Sequence, residues 1–187
     1  CNIIFRGIVT QDKPFQTKSI ILNNVYEKES ELGVSRIISG MNFANLDVFI
    51  DGEKITEQNV SDWKQSLNMK TAAFETSFTF KNKAKIAYTI YALRNIQYAG
   101  YIDINILPLK NIKIKATGKI STPEEFLKPL STFRILKDNE VTMPILQTVA
   151  KSKFGKHTIG TSATFVWHAI NSGREEQRPH LTHEKVS

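Results

Sequence analysis

Residues 45–79 read NLDVFIDGEKITEQNVSDWKQSLNMKTAAFETSFT, and this stretch decides the fold class. Leu46, Val48 and Ile50 alternate with Asp47 and Phe49, the period-two pattern of a pleated strand with at least one buried face. Asp51-Gly52 follows, a pair that tolerates left-handed backbone and gives the strongest short hairpin signal in the chain. After a polar loop, residues 63–70 lead into a strand on which Phe74, Thr76, Phe78 and Phe80 point one way. Ala73, Glu75, Ser77 and Thr79 point the other. The grammar is that of a sheet, and nothing in the stretch has the pattern of a catalytic centre.

The same grammar extends in both directions. Upstream, residues 2–9 and 19–26 are rich in isoleucine, leucine, valine and phenylalanine, with Asn23-Asn24 marking a bend or bulge inside the second run. Residues 27–33 form a charged turn and residues 34–38 a short strand. Downstream, Lys81-Asn82-Lys83 links to a strand with Ile86, Tyr88 and Ile90 on one face. A further strand over 98–108 puts Ile102, Ile104 and Ile106 inside. Residues 110–116 are expected to pair after it and to end at a Thr117-Gly118 turn. Strands resume over 133–136, 141–151 and 156–168, the last with Ile159, Thr161, Ala163, Phe165 and Trp167 sharing a face.

One helix is expected. Ser121-Thr122-Pro123-Glu124-Glu125 offers a hydroxyl cap, proline in the first turn and acids at the positive end of the dipole, with Pro129 as the stop. From Asn171 the sequence is polar and rich in breakers, so residues 1–170 read as one sandwich domain and 171–187 as a linker. Many strands at short spacing and almost no helix give an all-β protein, a large antiparallel β-sandwich with one short helix. A closed barrel is the alternative.

Composition narrows the function. The 187 residues carry a net charge of +7, yet the lysines are spread along strands, and no nucleic-acid-binding motif accompanies them. No nucleic-acid partner is expected, and no apolar run reaches the ~18 residues of a membrane-spanning helix. The single cysteine, Cys1, excludes an intrachain disulfide. Cys1 suits the lipid-attachment cysteine of a bacterial lipoprotein, which would place the protein in the periplasm or at the cell surface, membrane-associated only through that anchor. The other reading is that an ordered region simply begins there, with a cytoplasmic location.

Candidate chemistry is thin. His180 and His183 have a His-x-x-His spacing in a polar segment without cysteine or helix, so a solvated linker is the better reading and no metal is assigned. His157 and His168 bracket a strand and either titrate freely or cap it. Acids are plentiful (Asp47, Asp51, Glu53, Asp62, Glu75, Asp103, Glu124, Glu125 and Asp138), but no pair stands out as the two carboxyls of a glycosidase. There is no nucleophile elbow, and Gly155-Lys156 lacks the rest of a phosphate loop. Asn59-Val60-Ser61 matches a glycosylation acceptor, a short pattern frequent by chance. Trp63, Tyr88, Tyr91, Tyr98, Tyr101 and Trp167 would make a sugar-stacking platform if exposed together, but core packing is the commoner fate of each. No cofactor, catalytic residue or individual sugar-binding residue is assigned.

The strand ending in Asp51-Gly52-Glu53, the loop, and Trp63-Lys64-Gln65-Ser66-Leu67-Asn68-Met69-Lys70-Thr71 resemble the amino-terminal domain of family 65-type glycoside hydrolases and phosphorylases. That family includes maltose and trehalose phosphorylases and acid trehalases. Its pattern is an "idG" turn followed by "Y/W-x-Q/R-x-L-D-M-K/R", and Asn68 stands where the family has Asp. Tyr91-Ala92-Leu93-Arg94-Asn95, Val149-Ala150-Lys151-Ser152-Lys153 and Thr161-Ser162-Ala163-Thr164-Phe165 also fit, so the resemblance runs from Ile20 to Trp167. It implies a galactose-mutarotase-like super-sandwich joined by a linker to an (α/α)6 barrel that holds the general-acid glutamate and acts on α-glucosides. The sandwich would then be non-catalytic. It would support its own C-terminal catalytic domain, lend a loop to the sugar pocket and take part in homodimer contacts. An independent carbohydrate-binding module, with oligosaccharide as partner, and an envelope protein anchored through Cys1 are the alternatives.

Overall fold

The computed structural model describes residues 3–6, 14–16, 19–28, 30–93, 95–96, 98–137, 142–166 and 181–185. Among them the chain is almost entirely strand, and the all-β expectation holds. In order the strands are β1 (Ile3–Arg6), β2 (Ser19–Glu27), β3 (Arg36–Gly40), β4 (Asn42–Ile50), β5 (Glu53–Lys54), β6 (Val60–Asn68) and β7 (Ala73–Phe80). They continue with β8 (Ala84–Ala92), β9 (Gly100–Pro108), β10 (Ile114–Thr122), β11 (Phe126–Lys137), β12 (Thr142–Ser152), β13 (Thr158–Thr164) and β14 (Leu181–Lys185). They form four sheets, ordered β1-β2-β3, β14-β10-β4-β5, β11-β12-β13 and β6-β7-β8-β9.

The opening stretch folds as its pattern demands. Asp51 and Gly52 take φ +52° and +81°, the paired left-handed conformation of a two-residue hairpin turn, and Ile50 pairs with Glu53 across it. Phe74, Thr76, Phe78 and Phe80 on β7 are buried beside Ile86, Tyr88 and Ile90 on β8. Val48, Ile50 and Ile55 close on them from the other sheet to make the main core. A second core joins Ile38, Met41, Ile120, Phe126, Leu146 and Ala150. Sheets packed face to face through interdigitated apolar residues are a sandwich, and the barrel alternative falls. The Asn23-Asn24 bend is real: Asn24 sits at φ +66° where the β2–β3 register shifts.

Two expectations are corrected. Residues 121–127 are no helix. Ser121 and Thr122 are buried at the end of β10, residues 123–126 turn with the Phe126 N–H donating to the Pro123 carbonyl at 3.1 Å, and β11 begins. A helix cut at Pro129 would be too short to offset its nucleation cost, whereas the turn delivers Phe126 into the second core and opens a twelve-residue strand that pairs with β12. Pro129 lies where that pairing shifts register, a bulge in an edge strand that tolerates a missing N–H. The one helical turn, a single 3₁₀ turn among the described residues, spans Glu57–Asn59.

Second, the strand after β9 does not pair with it. Leu109 N–H donates to the Lys83 carbonyl and Asp51 N–H to the Lys113 carbonyl, which carries the chain across to the other sheet. There β10 runs straight through Thr117-Gly118 beside β4. Within residues 171–187, β14 pairs in parallel with β10.

Candidate functional site

The densest grouping of charge surrounds the β4–β5 hairpin. Asp47 projects from β4 and is only 8% exposed, because its strand lies between β10 and β5. Lys54 Nζ lies 2.7 Å from its Oδ1 and Lys119 Nζ 2.6 Å from its Oδ2. Burial pushes the Asp47 carboxyl up, but Lys119 and then Lys54 outweigh it and hold the group below the ordinary carboxylate value. At the turn, Asp51 accepts from Lys83 Nζ at 2.6 Å and from the Lys113 backbone N–H at 3.0 Å. Those two bonds, Lys83 first, lower its pKa. Glu53 accepts from Lys81 Nζ at 2.6 Å and Asn59 Nδ2 at 3.1 Å, and its pKa falls for the same reason.

Chemically these carboxylates are fixed in the ionised state. A glycosidase acid needs the opposite, a carboxyl whose pKa is raised so that it can deliver a proton. The hairpin is therefore a structural clamp: Lys81 and Lys83 from the β7–β8 link bind Glu53 and Asp51, tying the two main sheets together at one rim. A shallow depression beside it, of about 360 Å³, is lined by Asp51, Asn111, Ile112 and Lys113. Asn59 serves the clamp as well. Its Nδ2 also donates to the Lys54 carbonyl and its Oδ1 accepts the Thr56 N–H, so the amide of the glycosylation-like triplet is engaged within the fold.

A second polar cluster lies between β2 and the β12–β13 turn. Ser152 Oγ donates to buried Glu27, and the His157 backbone N–H donates to Ser152 Oγ at 3.1 Å. The His157 ring Nε2 meets the Tyr26 carbonyl at 2.8 Å, so this nitrogen carries a proton and donates it. His157 thus caps its turn and is not free. Serine, histidine and glutamate are together here without catalytic order: the serine hydroxyl accepts from the His157 backbone N–H, and the ring Nε2 is engaged by the Tyr26 carbonyl.

The aromatic candidates separate into two sets. Tyr88 is buried against Phe15 and Phe78, and Trp63 stacks on Phe78 at 5.3 Å, so both belong to the core. Tyr91 and Tyr101 pair across β8 and β9 on the outer face, ring centroids 6.0 Å apart. Tyr101 and Tyr98 are more than half exposed. The same outer face carries Glu75, Thr89 and Asp103 in one cross-strand row and Ser77 and Asn105 in the next. Exposed rings beside acids, amides and hydroxyls are the chemistry that grips a sugar, and only the alternation along β8 and β9 signalled it. Glu124 and Glu125 are exposed in the 123–126 turn. Asp62 accepts from neighbouring Ser61 Oγ in an exposed bulge.

Cys1, Asp138, Trp167, His168 and His180 lie outside the described residues, and of His183 only the backbone pairing with Ile120 is described. Among the described residues no group of three or more histidine, cysteine or acidic side chains could hold a metal. No helix there is long and apolar enough to cross a membrane.

The family described as "Glycosyl hydrolase family 65, N-terminal domain" matches residues 4–171. A kojibiose hydrolase of Flavobacterium johnsoniae is 29% identical over 177 residues, covering 95% of this chain and 25% of that protein. A kojibiose hydrolase of Mucilaginibacter mallensis is 28% identical over 180 residues, covering 96% and 26%. The chain spans about a quarter of the length of these curated relatives.

Proposed function

This chain belongs to the glycosyl hydrolase family 65 N-terminal domain family, and we propose that it is the non-catalytic sandwich of a longer hydrolase acting on kojibiose or a related α-glucoside. Its partner is the remainder of that polypeptide, which it braces. The observation that carries this reading is the coverage. The chain aligns along nearly its whole length with a quarter of two kojibiose hydrolases, within a region that the family defines as an amino-terminal domain. The state of the carboxylates supports it, because the perturbed acids among the described residues, Asp47, Asp51 and Glu53, are shifted down by lysines, away from the range of a general acid.

The test is turnover. Incubated with kojibiose, the purified chain should release no glucose above a protein-free control, while the longer protein should release it. Sustained release by the chain alone, abolished by substituting one of its own carboxylates, would overturn the assignment.

A second reading adds a sugar contact on the outer face of β8 and β9. Exposed Tyr101, stacked on half-buried Tyr91 beside Asp103 and Asn105, favours it. Retardation of the chain in an α-glucan affinity gel, lost in Tyr101→Ala, would support this contact. Equal mobility with and without glucan would reject it.

A further inference from the structure

Four sheet edges of this sandwich are protected. β5 is two residues long, β9 alternates its isoleucines with exposed Tyr101, Asp103 and Asn105, and β6 presents Ser61, Asp62, Lys64 and Ser66. β13 carries threonine, glycine, serine and alanine around Ile159. Short length, charge and small polar side chains are the usual means of keeping an edge from pairing with another chain.

β11 is different. It is the outer strand of the β11-β12-β13 sheet and the longest strand of the structure, twelve residues. Its first end is guarded by Lys128 and the Pro129 bulge. The remainder is not: Leu130, Phe133, Ile135 and Leu136 are 69, 45, 45 and 51% exposed. These residues occupy both faces. The register pairs Phe133 with Leu146 and Ile135 with Pro144, on the face that elsewhere builds the second core. Leu130 and Leu136 pair with Val149 and Met143 on the other face. A strand apolar on both faces has the composition of an interior strand, yet among the described residues one of its edges has no neighbour.

We propose that the free edge of β11 receives a further β-strand from the three-quarters of the longer hydrolase polypeptide that this chain does not span. This rests on the reading of the chain as one domain of such a protein. The entering strand would hydrogen-bond along residues 130–136, extend the β11-β12-β13 sheet and cover Phe133 and Ile135. A second copy of this chain is a poor occupant. The charges on β11, Lys128, Arg134 and Lys137, are all positive, so two copies side by side bring only cations together. The antiparallel registers that align Lys128 with Lys137, or Arg134 with itself, set like charges directly opposite, which destabilises a pair. The fitting strand is apolar on alternate positions and carries an acid or a neutral polar group facing Arg134.

Hydrogen exchange tests this. In the longer protein, the amides of residues 130–136 that point away from β12 should exchange at least ~100-fold more slowly than in the 187-residue chain, as newly bonded amides do. Arg134→Glu should lower the melting temperature of the longer protein and leave that of the chain unchanged. Equal exchange rates in the two proteins would overturn the proposal. So would protection that appears in the chain alone and grows with its concentration, the sign of self-pairing. Neither result depends on kojibiose turnover, so failure here leaves the functional assignment to its own test.

Discussion

Replacing Tyr88 by phenylalanine removes one oxygen and keeps every ring contact, which makes it a direct probe of how the core is tied. Tyr88 is 2% exposed, and its Oη accepts the Phe15 backbone N–H at 3.2 Å. Phe15 holds φ +58°, a left-handed conformation that costs a non-glycine residue roughly 1–2 kcal/mol. It is held there by this bond and by ring contacts to Tyr88 at 4.7 Å and Phe78 at 5.8 Å. Without Oη the buried N–H has lost this acceptor, at a cost of about 1–3 kcal/mol. With a urea slope of about 1–3 kcal/mol per molar, a loss near ~2 kcal/mol moves the unfolding midpoint down by ~1 M. Trp63, stacked on Phe78, reports the transition by fluorescence, and amide exchange at Phe15 should accelerate in parallel. Tyr88→Ala removes the ring as well and should cost about 3–5 kcal/mol. A Tyr88→Phe midpoint within ~0.2 M of wild type, with Phe15 exchange unchanged, would refute the reasoning.

Other perturbations separate the remaining contributions. Asp47→Asn should destabilise the chain at pH 7 by about 1–2 kcal/mol, discounted for partial exposure of its lysines. The folded pKa of Asp47 is depressed, so its contribution is fully present above the unfolded value near ~4 and is lost as pH falls through the lower folded value. Urea titrations at pH 7 and pH 3 should therefore show the gap between variant and wild type shrinking in acid. Gly52→Ala should cost about 1–2 kcal/mol through φ +81° alone, since no atom lies within 4 Å of the added Cβ; thermal melts check it. Ser152→Ala strips buried Glu27 of a hydroxyl donor and should cost about 1.5–3 kcal/mol by urea denaturation.

Local pattern made much of the fold legible. Asp51-Gly52 announced its turn, the β7 and β8 alternation announced the core, and Asn23-Asn24 announced a bulge. The failures share a cause. Residues 121–127 carry real capping signals, but the burial of Phe126 against Leu146 and Ala150 is a non-local gain that no window of seven residues displays. The partner of β10 was misread for the same reason: its pairing to β4 spans some seventy residues of sequence. Strand β14 takes its place from a backbone ladder along β10, which needs no apolar periodicity. The charged clamp was equally hidden, since Asp51, Glu53, Lys81 and Lys83 meet only after two sheets stack.

The central claim is that this domain braces and does not react, and the turnover number of the longer protein carrying Asp51→Asn and Glu53→Gln tests it most directly. These substitutions remove the two hairpin carboxylates that clamp the sheets. The account predicts a lower melting temperature with kcat on kojibiose retained within about threefold. A fall in kcat of about 100-fold or more, of the size lost with a catalytic acid or base, at an unchanged melting temperature would contradict it.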